Sequence, residues 1–150
     1  NRALAASVAK HKIDSINAVD PNAKIVLMGD LNDDPVSPSV TKTLGATGNV
    51  DKIKDNGSYN PWVAYYKEGI GTLAYGDAWN LFDQIIVSNA FLSKEQKGFF
   101  FQKANIFSKE FMIQKTGRYK GYPLRTYDFS IYQGGYSDHF PTYLLLLKEK

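Results

Sequence analysis

One stretch, residues 24–34 (KIVLMGDLNDD), constrains the fold of this chain more than any other. Its four apolar residues, 25–28, are too few for a helix and begin with a β-branched side chain, so they predict a buried strand. Side chains alternate along a strand, which would put Asp30 and Asn32 on the same face where the chain leaves the core. A carboxylate beside a carboxamide can bind water, a metal ion or a phosphate oxygen, although Gly29, Asp30 and Asn32 are also ordinary turn residues.

The composition indicates a single folded domain. With 150 residues, of which 43% are hydrophobic and 14% aromatic, the chain is long and apolar enough to bury one core and is unlike a disordered segment. Its formal net charge of +3 suits an anionic substrate without requiring one. The absence of cysteine excludes disulfide bonds and thiolate zinc sites, and no apolar run is long enough to cross a bilayer.

Several elements can be predicted along the first part of the chain. Apolar residues recur every three to four positions in the opening segment and predict a helix that ends at Asp-Pro-Asn, 20–22. A short helix is predicted from Ser37 to Leu44, with Gly45 as its C-terminal stop. Residues 48–59 predict a polar loop. The aromatic residues that follow (Trp62, Tyr65, Tyr66 and Tyr75) predict edge-strand and loop packing or, alternatively, an aromatic wall that faces a substrate.

Two further polar groups lie beside predicted strands. Residues 78–88 predict a strand in which Asp83 stands among apolar neighbours, and a buried carboxylate needs a cation or a hydrogen-bond donor. A structural salt bridge to lysine or arginine would satisfy it, as would a partner in a catalytic site. Asp138 and His139 lie in a loop before a predicted final strand, 143–147, where a surface hydrogen bond would also explain them.

The segment between these groups is less clearly patterned. Residues 98–114 are rich in phenylalanine and predict two short strands. Residues 115–125 are basic, with interleaved tyrosines, and predict either a solvated loop or a rim that binds anions. Their charges are too sparse to indicate a nucleic-acid surface.

The three polar groups resemble the motifs of the endonuclease/exonuclease/phosphatase superfamily. Residues 29–32 (GDLN) look like its GD-[FL]-N motif, and residues 82–88 (FDQIIVS) are similar to its [LF]-D-x-I-[FI]-V-S strand, with Trp79 at a position that is often aromatic. Residues 137–141 (SDHFP) look like its S-D-H-x-P signature. The superfamily comprises metal-dependent phosphodiesterases and phosphatases, among them pancreatic-type deoxyribonucleases, apurinic-site endonucleases, neutral sphingomyelinases and inositol polyphosphate 5-phosphatases.

The resemblance implies a role for each motif residue. Asp138, with Asp30, would bind a divalent cation, Mg²⁺ or Mn²⁺. Asp30 would position or deprotonate the attacking water, and Asn32 would hydrogen-bond Asp30 or the phosphate. Asp83 would accept the ring N–H of His139, which serves either as a general base or, when protonated, as a ligand of a phosphate oxygen.

The same resemblance implies an α+β fold, a four-layer α/β/β/α sandwich of the deoxyribonuclease-like type. Trp79 and Arg125 would contact the substrate, a phosphate ester for which nucleic acid is one candidate. The Asn and Glu that complete the family's metal site, and a His upstream of the first helix, have no counterpart, since Glu68, Glu95, Glu110 and Glu149 stand in other contexts and His11 lies inside a predicted helix. The chain also lacks an initiator methionine.

We therefore expect residues 1–150 to form the C-terminal part of one such domain. An apolar sheet face and strand edges would then be uncovered, so we expect the N-terminal half of the domain or self-association as a partner, and little or no activity from this segment alone. One alternative is a non-catalytic fragment of this architecture that binds a partner through residues 98–125. Another is an unrelated α+β binding domain.

Overall fold

The computed structural model describes residues 1–95 and 97–148 and has a mixed α and β architecture. The helices are α1 (Arg2–Val19) and α2 (Trp62–Lys67), with a π-helical turn at Ser39–Leu44 and short 3₁₀ turns at Val50–Lys52, Asn89–Phe91 and Glu110–Met112. The strands are β1 (Val26–Asp30), β2 (Ala46–Thr47), β3 (Ser58–Tyr59), β4 (Leu73–Tyr75), β5 (Ala78–Asn80), β6 (Asp83–Ser88), β7 (Phe99–Ile106), β8 (Tyr127–Asp128), β9 (Ile131–Tyr132) and β10 (Thr142–Lys148).

Two sheets form the centre of the molecule. The first has the strand order β1-β6-β3-β2, in which β1 and β3 run antiparallel to β6 and β2 runs parallel to β3. The second consists of β7 and β10, which pair antiparallel along their whole lengths with a shift in register between Leu145 and Leu146. Two small hairpins, β4–β5 and β8–β9, complete the strand pairing of the described residues.

The core lies on both faces of the first sheet. One cluster packs α1 and the π-helical turn on the sheet through Ile13, Val40 and Ile86. The other packs the second sheet and α2 on the opposite face through Trp62 and Leu81, with Ile85 and Leu144 against them (Ala104 is also in this cluster). Because Ile85 and Ile86 are neighbours on β6, their contacts show that this strand buries both faces. The described layers are therefore helix, sheet and sheet.

The predicted boundaries of the first elements agree with the structure. Helix α1 ends at Val19, before Asp20 and Pro21. The turn that ends at Leu44 is closed by Gly45 in the left-handed conformation, with φ 77°, which glycine adopts without a steric penalty. Strand β10 covers the predicted final strand.

Several local predictions were wrong. The predicted loop 48–59 contains a 3₁₀ turn and β3, and the predicted strand 78–88 is divided into β5 and β6. Strand β1 is not buried: Leu27 is only partly buried against the core, and Met28 on the other face is 72% exposed. Residues 98–114 contain one strand, β7, followed by a 3₁₀ turn, because the consecutive phenylalanines hide the alternation of an eight-residue strand. Trp62 begins a helix rather than an edge strand, and the buried Asn60 accepts a hydrogen bond from the backbone N–H of Trp62 at the helix start.

Candidate active site

The centre of the site is a hydrogen bond between Asp83 and His139. Asp83 Oδ2 lies 2.8 Å from His139 Nδ1, and both side chains are 22% exposed. Asp83 Oδ2 also accepts a hydrogen bond from the hydroxyl of the buried Thr72. Asp83 begins β6, so its carboxylate emerges at the end of the central strand. Among the described residues, no lysine or arginine pairs with Asp83. The hydrogen-bond partners that a buried carboxylate needs are instead His139 and Thr72.

A second carboxylate lies beside this pair. Asp30 ends β1 directly opposite Asp83 in the antiparallel register, and its Oδ2 is 4.0 Å from His139 Nδ1. Its Oδ1 accepts the backbone N–H of Asn32 at 2.9 Å, and Asn32 has φ 51°. Strand β1 therefore stops at Asp30, and Asn32 follows in a turn. The prediction that both side chains share one strand face was wrong, because an Asp side chain readily closes such a turn on the residue two positions later.

The loop that carries His139 is fixed at two points. The hydroxyl oxygen of Ser137 accepts the backbone N–H of His139 at 3.1 Å, which holds the loop in a local turn. The backbone N–H of Phe140 donates to the carbonyl of Thr72 at 2.8 Å. Thr72 thus binds the histidine loop through its backbone and Asp83 through its hydroxyl. Nothing in the sequence pattern around Thr72 indicated this role.

The turn after β1 is held by buried amides that the sequence reading missed. Gln84, fully buried, donates to the carbonyls of Asp33 at 2.6 Å and Leu81 at 3.1 Å, and accepts from Asn60 at 2.8 Å. Asp34 accepts the backbone N–H of Leu81 at 2.8 Å. These contacts fix the ends of β1 and β6 relative to each other, which positions Asp30 and Asp83.

The three site residues offer donor atoms that lie close together. One oxygen of Asp30, one oxygen of Asp83 and one ring nitrogen of His139 all lie within 4.8 Å of one another, and in the described part of the chain no other group of three such residues does so. Because Asp83 and His139 already bond to each other, the oxygen of Asp30 is the donor in this group that keeps the greatest freedom to bind another species.

Comparison with known proteins identifies the family. The sequence profile of the Endonuclease/Exonuclease/phosphatase family matches residues 1–148. The chain belongs to this family. Neither a curated protein nor a solved structure matches the chain. No helix within residues 1–95 and 97–148 is long and apolar enough to cross a membrane.

The remaining residues of the family resemblance lie around this centre. Asp138 is exposed in the histidine loop and is not part of the three-residue donor group. Trp79 stacks on Phe140, with 6.2 Å between ring centroids and planes 12° apart, and its other neighbour is Tyr122 at 5.9 Å. Trp79 therefore packs beneath the residue that follows His139.

Two polar contacts involve the basic loop, residues 115–125, which lies next to Trp79 through Tyr122. Asp77 accepts a hydrogen bond from the Tyr122 hydroxyl at 2.7 Å, and this bond raises the pKa of Tyr122. Arg125 lies 3.7 Å from Asp128 and over the ring of Tyr119, so part of its charge is already paired. Members of the endonuclease/exonuclease/phosphatase family act on phosphate esters as nucleases and phosphatases.

Proposed function

We propose that this protein hydrolyses a phosphate ester, either a phosphodiester or a phosphomonoester, with the help of a divalent cation. The observation that carries the proposal is the 2.8 Å contact between Asp83 Oδ2 and His139 Nδ1, with Asp30 Oδ2 4.0 Å from the same nitrogen. A carboxylate that orients a histidine ring beside a second carboxylate is suited to proton transfer during ester hydrolysis. Membership of the family supports the same class of reaction.

The contact with Asp83 defines what His139 can do. If Asp83 accepts the N–H at Nδ1, the neutral ring has its lone pair at Nε2, which is the nitrogen left for substrate or water. In that state His139 would act as a general base on the attacking water. When protonated, it would instead donate to a phosphate oxygen and offset its negative charge. The pH–rate profile separates these roles, because a base requires the neutral ring and a phosphate ligand requires the protonated ring.

Asp30 and Asn32 would handle the attacking water and the phosphate. Asp30 Oδ1 is already bonded to the backbone N–H of Asn32, so Oδ2 is the oxygen that would position or deprotonate a water molecule. Asn32 is exposed, and its carboxamide would donate a hydrogen bond to a phosphate oxygen. Trp79 and Arg125 would contribute to substrate binding from the side of the basic loop.

The proposed cation is Mg²⁺ or Mn²⁺, held by Asp30 and Asp138. Both residues are exposed and offer carboxylate oxygens, the ligands that these ions prefer. Proteins commonly bind Mg²⁺ through one or two carboxylates, with water and substrate phosphate as the other ligands, so two aspartates are the kind of donors that this ion uses. Asp83 and His139 are hydrogen-bonded to each other, so we assign them to proton transfer rather than to metal binding. When bound, the cation would neutralise charge on the phosphate and make water easier to deprotonate.

Hydrolysis of bis-p-nitrophenyl phosphate and p-nitrophenyl phosphate tests the proposal. The enzyme is the protein from the complete reading frame, assayed in Mg²⁺, in Mn²⁺ and in EDTA. We expect metal-dependent turnover that His139→Ala abolishes and Asp83→Asn lowers by about 10²–10⁴-fold. His11→Ala is the matched control, since His11 is the other histidine and lies exposed on α1. Turnover that survives His139→Ala, or no turnover of either ester, overturns the proposal.

We also propose that residues 1–150 supply the C-terminal part of a four-layer sandwich. Tyr59 of β3 packs on Phe101 of β7, with 5.4 Å between ring centroids, and Ile85 of β6 packs near Leu144 of β10. The next strand position beside β10 would therefore lie opposite β1. Met28 points to this position from β1 and is 72% exposed. A further apolar strand at the free edge of β10 would cover it.

The solution state of the 150-residue chain tests this second proposal. Without the missing strand, we expect the chain to self-associate and to have little or no phosphatase activity. Met28→Asp should then reduce the association measured by analytical ultracentrifugation, whereas Val19→Asp, which changes an exposed apolar residue at the end of α1, should not. A monomeric chain with robust turnover that depends on His139 would contradict the proposal while supporting the chemistry.

A further inference from the structure

The β8–β9 hairpin exposes large apolar side chains on a surface outside the proposed site. Phe129 is 94% exposed, Ile131 66%, Tyr132 67% and Tyr127 57%. The rings of Tyr127 and Tyr132 contact each other edge to face, with centroids 5.4 Å apart, so they support the hairpin. Tyr127 and Tyr132 share one face of the hairpin, and Ile131 lies opposite Asp128 on the other face. Several large exposed apolar side chains on one short hairpin can mark an interaction surface. Residues 127–132 are called the aromatic hairpin below.

The backbone at the tip of the hairpin is unfavourable for the residue that occupies it. Phe129 has φ 52°, in the left-handed region that glycine and asparagine adopt readily and bulky residues rarely adopt. It is the first of the two residues between β8 and β9. A phenylalanine at this position contributes no buried contact to the fold, because its ring is almost fully exposed. The ring of Phe129 is therefore exposed at the expense of backbone strain in the turn, which is typical of residues that have a function.

Cationic side chains lie in the segment that leads into the hairpin. Arg125 lies 3.7 Å from Asp128 of the hairpin and 5.3 Å from the centroid of the Tyr119 ring, and Arg118 lies 5.7 Å from the same centroid. The turn between Gln114 and Gly121, closed by a backbone hydrogen bond, carries two more cations, Lys120 and Lys115, of which Lys115 pairs with Glu110 at 3.0 Å. The segment before the hairpin thus has four cations against the two carboxylates that pair with them, Glu110 and Asp128, which leaves it with a net positive charge.

We infer that the aromatic hairpin docks the protein onto an anionic lipid surface. Phenylalanine and isoleucine enter the boundary between headgroups and acyl chains, tyrosine favours the same boundary, and arginine and lysine attract anionic headgroups. A single-stranded nucleic acid is the weaker match, since Ile131 has no ring to stack on a base. The inference is independent of the proposed hydrolysis.

The hairpin is connected to the loop that carries His139. The backbone N–H of Tyr136 donates to the carbonyl of Leu124 at 2.9 Å, and the Thr126 hydroxyl donates to the carbonyl of Tyr136 at 3.2 Å. The strand-like segment that leads into the hairpin therefore pairs with the residue that precedes Ser137. Docking of the hairpin would hold this edge of the molecule, with its candidate site, next to the lipid surface.

Co-sedimentation with vesicles of the same protein that is used in the ester assay, with a vesicle-free control, tests the inference. The probes are vesicles of phosphatidylcholine alone and of phosphatidylcholine with phosphatidylserine, and no hydrolysis is measured. We expect binding to the anionic vesicles, weakened by salt, and a loss of about tenfold or more in Phe129→Asn. Asparagine suits the left-handed backbone, so this variant should fold at least as well as the parent protein. Val19→Asn is the matched control, because it removes an 88% exposed apolar side chain from the end of α1.

The outcomes separate the possible partners. Binding to anionic vesicles that falls in Phe129→Asn and stays unchanged in Val19→Asn supports the inference. No vesicle binding, or equal loss in both variants, overturns it. Binding of a single-stranded oligonucleotide that is lost in Phe129→Asn, without vesicle binding, assigns the hairpin to nucleic acid and also overturns it. Ile131→Ser should reproduce the loss on vesicles and leave oligonucleotide binding unchanged.

Discussion

Replacement of Gln84 by leucine should strongly destabilise the protein. The amide of Gln84 makes three hydrogen bonds in a fully buried position, two as a donor to the carbonyls of Asp33 and Leu81 and one as an acceptor from Asn60. Leucine fills a similar volume but makes none of them. Asn60 is itself fully buried, so its N–H would have no water to replace the lost acceptor.

The magnitude follows from the partners that would be left behind. An unsatisfied buried polar group costs about 1–3 kcal/mol, and the variant would leave one amide N–H and two carbonyls. The contact with Asp33 is only partly buried, so the carbonyl there regains some hydration. Leucine also offsets part of the lost free energy of unfolding, because it buries apolar surface. The expected cost is about 3–5 kcal/mol, a large share of the roughly 5–15 kcal/mol that stabilises a typical domain.

Urea unfolding followed by tryptophan fluorescence measures this cost, since Trp62 is fully buried and reports on the same region. Gln133→Leu is the matched control: Gln133 is exposed and donates one hydrogen bond of 3.4 Å, so its loss should change the unfolding free energy by less than about 0.5 kcal/mol. A cost below about 1 kcal/mol for Gln84→Leu would refute the view that this amide holds the two strand ends together.

Three further predictions follow from single contacts. Thr72→Val should lower kcat about tenfold with little change in KM, because Asp83 loses a hydrogen-bond donor. Thr72→Ser should restore kcat, and a change in KM alone would contradict this prediction. Burial raises the pKa of the Tyr59 hydroxyl, so the unfolded state loses this proton at a lower pH than the folded state, and the free energy of unfolding should fall as pH rises above about 10. Tyr59→Phe should reduce this fall in urea titrations at increasing pH, and an unchanged slope would refute the prediction. Gly135→Ala should cost about 1–3 kcal/mol by thermal unfolding, because the added Cβ would lie 2.0 Å from the carbonyl oxygen of Leu124; a Tm equal to that of the parent protein would disprove the clash.

Local sequence signals predicted the elements that end at strong boundary residues. Helix α1 could be predicted because its apolar period is clear and Pro21 follows its end. The short turn before Gly45 could be predicted from Ser37 and Pro38 at its start and from that glycine at its end. The contact between Asp83 and His139 was anticipated through the resemblance to the family, since 56 residues separate the two in sequence and no local pattern connects them.

The missed features depend on tertiary contacts that leave no periodic signal. Gln84 stands in an apolar strand where a surface amide and a buried amide look alike, and only its three partners reveal the difference. Thr72 follows a glycine in a loop and gives no hint of its bond to Asp83. The helix at Trp62 did carry a signal, because Asn60 and Pro61 form a typical helix start ahead of aromatic residues spaced three and four positions apart.

The pairing register of β1 and β6 explains why the candidate site lies where it does. Asp30 and Asp83 are direct partners on neighbouring strands, and like charges in that position repel each other. A positive charge near both carboxylates, whether an imidazolium at residue 139 or a bound cation, relieves this repulsion. A shift of β6 by one residue would turn the carboxylate of Asp83 towards the α1 side and turn Gln84 away from the carbonyls that it binds. The same register therefore lets the buried amide of Gln84 make its hydrogen bonds and places Asp30 beside Asp83. The residues that stabilise the fold here thus also position the groups proposed for catalysis.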